Sequence, residues 1–287
     1  MAFASIKQNF QDWTTQQWVI LSGKKINSKE HEWLLGPFGA LNGIGKKFIN
    51  QLAENEHLEI CKSELSKGII KSIDQLDLSS AELNKLSKNV IDFYENTNRY
   101  EFDLKTKWNP FFKVFGYLLK ILFSNRIEQL NIPMNNNTKG MNSNIIELID
   151  KNTRKQKRTI WLRTFKETKQ VVYSGVYETC VIPNGMTCIK AMFPLPNGNA
   201  TVILQPSVGD NGELILKSAG RKIGDSGFYF LLKDKNGNIW TKYIKSFKDN
   251  LTVSFDKGEI KANQTLTFYG FKVLNFQHQI KKLPTTR

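Results

Sequence analysis

Apolar and polar positions alternate in short runs through the second half of the chain, which is the two-residue period of half-buried β-strands. Such runs occupy 144–150, 158–166, 170–181, 186–194, 200–206, 213–218, 227–233, 238–244, 250–255 and 264–277. Asn184-Gly185, Asn197-Gly198, Asn211-Gly212 and Asn236-Gly237 stand between neighbouring runs. An Asn-Gly pair suits a type I′ hairpin, because both central residues then need positive φ. Sequential strands joined by tight turns form an antiparallel meander, and nine or ten twisted strands tend to curl or close. An earlier run, Tyr100 to Lys107, alternates in the same way.

Before residue 99 the period is helical. Lys46 to Asn55 puts Phe48, Leu52 and Ala53 on one side. Ser79 to Glu82 resembles a capping box, opening a helix to about Asn96 with Leu83, Leu86, Val90, Ile91 and Tyr94 along one face. Asn109-Pro110 starts a further helix to about residue 125. Its polar stripe of Lys113, Gly116, Lys120 and Ser124 is narrow, so this helix reads as buried on several sides. A membrane-surface helix is the alternative, although those carry a wider basic face. The fold expected is α+β, with a helical N-terminal region packed on a strongly bent antiparallel meander or barrel of about nine or ten strands. The division expected is 1–98, mainly helical, and 99–287, containing the strand, helices and sheet, the two forming one compact unit.

A chain of 287 residues buries enough surface to need no staple, and three cysteines and three histidines exclude a disulfide framework and disfavour a metal cluster. Neither a cofactor nor a metal is expected. If Asn184-Gly185 is a two-residue loop, Cys188 faces Val181; a three-residue loop puts it opposite Cys180. The N-terminus lacks a signal-peptide pattern. The most apolar stretch, Phe111 to Phe123, is 13 residues long and falls short of a membrane span. A cytoplasmic protein is therefore the expectation. The net charge is +15 and uneven: residues 1–150 carry 18 Lys+Arg and 17 Asp+Glu, whereas 151–287 carry 23 and 9. That excess favours anionic partners, although lysines on sheet faces and edges also prevent aggregation. The one dense cluster is 151–158, expected at a hairpin tip.

Familiar phosphate-loop, zinc and nucleophile motifs are absent. Gly43-Ile44-Gly45-Lys46-Lys47 resembles an anion-binding helix entry only faintly. At the helix–sheet junction, Tyr94, Glu95, Tyr100, Trp108, Arg126 and Gln129 are candidates to orient the polar end of a ligand at a cavity mouth. The plainer reading pairs Glu95 with Arg99 as a helical i,i+4 ion pair. Within the sheet, Trp161, Arg163, Tyr177 and Tyr229 fall at alternating positions and are candidates to line a barrel interior. Core packing explains them equally well.

Phe93-Tyr94-Glu95-Asn96-Thr97, Trp108, Leu122-Phe123-Ser124-Asn125-Arg126, Gln129-Leu130-Asn131-Ile132-Pro133, the stretch Phe193 to Thr201 and Ser218-Ala219-Gly220-Arg221 resemble an uncharacterised family of bacterial proteins. The resemblance implies a unit spanning about Trp33 to Tyr269 and transfers no activity. In architecture the order of elements is similar to START/Bet v1-like domains, and the meander to calycin barrels, both lipid-binding folds. The leading expectation is non-catalytic binding of an apolar or amphipathic, anionic small molecule in a sheet or barrel cavity. The alternatives are nucleic-acid binding through the basic β half, or an enzyme in the same cavity with Glu95 or Asp103 as acid or base.

Overall fold

A computed structural model describes residues 2–5, 8–40, 44, 47–62, 67–119 and 131–284. Along the chain run α1 (Phe10–Ser22), β1 (Lys24–Ile26), α2 (Lys47–Asn55), β2 (Leu58–Lys62), α3 (Ser80–Lys85), α4 (Lys88–Glu95), β3 (Tyr100–Trp108) and α5 (Pro110–Leu119). Strands follow: β4 (Lys139–Asp150), β5 (Gln156–Phe165), β6 (Val171–Val181), β7 (Thr187–Leu195), β8 (Gly198–Val208), β9 (Leu214–Lys217), β10 (Gly227–Lys233), β11 (Ile239–Tyr243), β12 (Phe247–Asp256), β13 (Glu259–Phe268) and β14 (Phe271–Lys282).

Ten of these strands close a barrel in the order β8-β7-β6-β5-β4-β3-β14-β13-β12-β9, with β9 returning to β8. All its pairings are antiparallel. Closure depends on β9, four residues long, which pairs with Gln205–Val208 on one side and Asn250–Val253 on the other. The first half of β8 pairs instead with β10, and β11 and β1 extend that branch outside the ring. The meander is therefore interrupted: the chain leaves the ring at β9, builds β10 and β11 on the outside, and returns at β12. At the branch point, a Cβ on Gly198 would meet the backbone oxygen of Leu231 at 2.2 Å, so only glycine admits β10 this closely.

All four Asn-Gly pairs lie at hairpin reversals, but none forms the expected type I′ turn. Gly185, Gly212 and Gly237 alone take positive φ in three of them. In the fourth it is Asn197, at φ 53°, and Gly198 already belongs to β8. The reversals with consecutive positive φ are Lys257-Gly258 and Tyr269-Gly270. The latter divides 264–277, expected as one strand, into β13 and β14. The wider loop at Asn184 sets Cys180 directly opposite Cys188 as free thiols. Burial pushes them up to about 11 and about 12.

Residues 67–98 close one end of the barrel. Ile69, Ile70, Ile73, Leu76, Leu86, Val90 and Phe93 share a core with the inward-facing Leu104, Ile145, Ile189, Leu204, Leu214 and Val253. The capping box of Ser79 and Glu82 forms, but the helix it opens breaks at Leu86, giving α3 and α4 rather than one continuous helix. Asn98 bonds both backbone groups of Ile145, stitching this plug to β4. On the outside, α2 covers Leu148, Ile160, Val176 and Met192, and α1 covers the β10–β11 branch. At the opposite end, α5 is not buried on several sides. Phe111, Val114 and Tyr117 are exposed, while Gly116 sits against the Trp108 ring.

Candidate functional site

Alternation along β5 turns Thr159, Trp161 and Arg163 inward, opposite the inward Tyr177, Gly175 and Tyr173 of β6. Gly175 is a packing requirement, since a Cβ there would lie 2.9 Å from the Tyr177 ring and 3.0 Å from that of Phe193. With that space free, seven rings close a circuit around the barrel interior. The spacings are Phe102–Trp161 5.7 Å, Trp161–Tyr177 5.5 Å, Tyr177–Phe193 6.4 Å and Phe193–Tyr173 5.9 Å. Tyr173–Phe276 at 6.3 Å, Phe276–His278 at 6.5 Å and His278–Phe102 at 6.5 Å complete it.

The Arg163 guanidinium lies between two of these rings, 4.1 Å from the Trp161 centroid and 4.5 Å from that of Tyr173. Cation–π attraction of this kind strengthens when solvent is excluded, and Arg163 is buried. One amino group donates a long 3.4 Å bond to the Tyr177 hydroxyl, and Nε has no partner. No carboxylate among the described residues forms an ion pair with it. Two further polar groups are buried in the same wall. Asp249 on β12 accepts from the Gln264 amide at 2.7 Å through Oδ2, while Oδ1 is unpartnered. Burial pushes its carboxyl up to about 7. His278 on β14 has an unpartnered Nδ1, and burial together with the Arg163 charge pushes it down to about 3, so it stays neutral. Buried polar atoms are normally satisfied. This core therefore holds three orphaned ones: a cationic donor, a carboxyl titrating near neutrality and an imidazole nitrogen.

A cleft of about 550 Å³ opens at the plugged end, between Ile69, Ile70 and Gln75 of the plug and the ends of β5 and β6. Its wall includes Lys157, Thr159 and Tyr177. Tyr177 thus belongs both to the cleft and to the Arg163 partnership.

Of the residues expected at the site, Tyr94, Trp161, Arg163 and Tyr177 meet in the barrel core. Glu95 does not; its carboxylate accepts from the Ile73 backbone at 2.7 Å, holding the plug. The Tyr100 hydroxyl donates to Asp92 at 2.5 Å, and Trp108 donates to the Pro133 carbonyl at 2.9 Å. Tyr229 lies in a separate core outside the ring, 5.8 Å from Trp33 and 4.9 Å from Tyr243. Arg126, Gln129 and most of the Gly43–Lys47 loop lie outside the described residues. Asp249, Gln264 and His278 were missed, although their strand parity with Leu251, Leu266 and Phe276 was the available signal. Asp103 and Glu95 are part-exposed, so the buried carboxylate with a raised pKa is Asp249 instead. In the basic 151–158 segment, Arg154 pairs with Glu59, and Arg158 pairs with Glu56 at 3.0 Å and Glu178 at 3.2 Å.

No family model matches the chain, and no solved structure matches it. It is 25% identical over 240 residues to the "Uncharacterized membrane protein YndJ" of Bacillus subtilis (strain 168), a match covering 83% of this chain. The chain spans 41% of that relative's length. Similarity to an uncharacterised bacterial protein is what the residues resembling such a family led one to expect. No helix among the described residues is long and apolar enough to cross a membrane.

Proposed function

We propose that this protein is a non-catalytic binding module for an amphipathic small molecule with an acidic group, taken up at the rim cleft. The observation that carries the reading is Arg163, a guanidinium buried without a carboxylate partner and touching the cleft through Tyr177. An anion reaching Tyr177 would gain a desolvated cation whose attraction water does not screen. The cleft volume of about 550 Å³ falls within the range of ligand sites. The membrane description of the YndJ relative supports a ligand of lipid character. The free thiols of Cys180 and Cys188, facing each other across β6 and β7, support the cytoplasmic placement that belongs to this reading.

The test is native mass spectrometry with thermal-shift titration, using palmitate and farnesyl phosphate as probes. The expected result is a bound species and a raised Tm. Arg163→Met weakens the affinity at least tenfold, or about 1.4 kcal/mol. Thr179→Trp, at the cleft wall, blocks uptake. No bound species and no shift with either probe would overturn the proposal. A second reading, an enzyme in the same core, rests on Asp249, whose carboxyl titrates where general bases work. It requires Asp249→Asn to abolish a turnover while sparing binding.

A further inference from the structure

The end of the barrel opposite the rim cleft carries an apolar surface that is exposed among the described residues. On α5, Phe111 is 84% exposed, Val114 68% and Tyr117 55%. At the β13–β14 turn, Tyr269 is 74% exposed and Phe271 65%. The two groups are neighbours, because Asn109, which starts α5, bonds the β14 backbone. Its N–H donates to the Val273 carbonyl at 3.0 Å and its side chain to the Lys272 carbonyl at 2.9 Å. Both groups are held on rigid supports. Gly116 presses α5 onto Trp108, whose indole is fixed to Pro133, and Tyr269 N–H donates to the Ser246 carbonyl just before β12. Single exposed apolar residues are ordinary, whereas five on two adjoining elements mark an interaction surface.

The charged residues of α5 and of the stretch Leu266–Leu274 are all lysines. Lys107, Lys113 and Lys272 are exposed, and none of them forms an ion pair among the described residues. Neither α5 nor the stretch Leu266–Leu274 contains an acidic residue. Between Lys107 and Lys272 a cleft of about 460 Å³ runs along the outer barrel wall, edged with the side chains of Asn263, Asn275 and Gln277. Aromatic side chains ringed by unpaired lysines, with an amide- and ammonium-lined hollow beside them, match an anionic bilayer surface. The rings enter the headgroup–acyl boundary and the lysines meet the negative surface potential. A protein partner would be expected to supply acidic counterparts at fixed places, and nothing in the cluster is arranged to receive them singly.

We propose that this end of the barrel docks peripherally on anionic membranes, with Phe111, Tyr117, Tyr269 and Phe271 inserted and a lipid phosphate in the Lys107–Lys272 cleft. The site is independent of the rim cleft at the other end, so either can fail alone. The experiment is flotation of the purified chain with vesicles of 30% phosphatidylglycerol in phosphatidylcholine, against vesicles of phosphatidylcholine alone. The expected result is at least tenfold stronger partition to the anionic vesicles, weakening as salt is raised. Phe111→Ser with Phe271→Ser abolishes it, Lys107→Glu with Lys272→Glu reduces it at least tenfold, and inorganic phosphate at 10 mM does not displace it. Every substituted side chain is exposed, so the melting temperature should hold, which keeps a loss of binding interpretable. Equal partition to both vesicle types would overturn the proposal, as would unchanged partition of both double variants. So would concentration-dependent dimerisation abolished by the two serine changes without vesicle binding, which would assign the surface to a second copy of the chain.

Discussion

At the residue scale, the barrel interior is governed by how few polar groups it holds and how poorly they are matched. Arg163 lies between two aromatic faces, while Asp249, buried in the same interior, does not pair with it. A carboxyl that titrates near 7 when folded and near 3.9 when unfolded makes stability depend on pH. Below about pH 4 both states are protonated and the group contributes nothing. Between about 4 and 7 the unfolded chain releases its proton while the folded chain retains it, so stability falls as pH rises. The full penalty, on the order of 4 kcal/mol, applies above pH 7. Asp249→Asn removes that titration. Its stability relative to the parent should therefore rise between pH 4 and pH 8 in parallel denaturant melts; two curves of constant separation would show that Asp249 ionises freely. Trp161, Arg163 and Tyr177 were legible in the sequence, since strand parity sorts inward from outward positions. Asp249 and His278 were not, because a polar residue in a strand reads as surface until its neighbours fix which face is inside.

At the element scale, the sequence marks where the chain reverses better than how. Each Asn-Gly pair does stand at a hairpin, but loop length depends on the register of the flanking strands, which a dipeptide cannot specify. Three of them use glycine alone in the left-handed region, while the true pair of left-handed residues between β12 and β13 is Lys257-Gly258. Lysine at φ 50° is strained by its Cβ, whereas asparagine visits this region readily. Lys257→Asn should therefore stabilise the protein by on the order of 1 kcal/mol, read as a rise in Tm. Asp256 and Glu259 already pair across this turn, so no change of register is needed. A lowered Tm would mean that the turn conformation is held by something other than its own backbone preference. The break between α3 and α4 was equally hidden. The apolar periodicity runs through Leu86 without interruption, yet the chain bends there, where Ser87 N–H bonds the Gly212 carbonyl of the β8–β9 turn.

At the scale of the whole molecule, closure is the property that periodicity could count but not wire. Nine or ten strands were readable, and ten form the ring. That β3 and β14 meet along nine residue pairs, joining the start of the barrel to its end, is a non-local fact with no local signature. The same holds for the plug, which precedes β3 in the chain yet supplies Ile69, Ile70, Ile73, Leu76, Leu86, Val90, Phe93 and Tyr94 to the common core. At about 2 kcal/mol for each buried apolar side chain, these eight outweigh the roughly 5–15 kcal/mol by which a domain is usually stable. A fragment of residues 99–287 should consequently fail to form a native barrel: it should bind a hydrophobic dye and melt without a sharp transition. In the full chain, Val90→Asp places an uncompensated charge among the same residues and should lower the Tm steeply, because a buried unpaired carboxylate is among the costliest substitutions. If the fragment instead unfolds in one cooperative step, the barrel is self-sufficient and residues 67–98 are a removable cover.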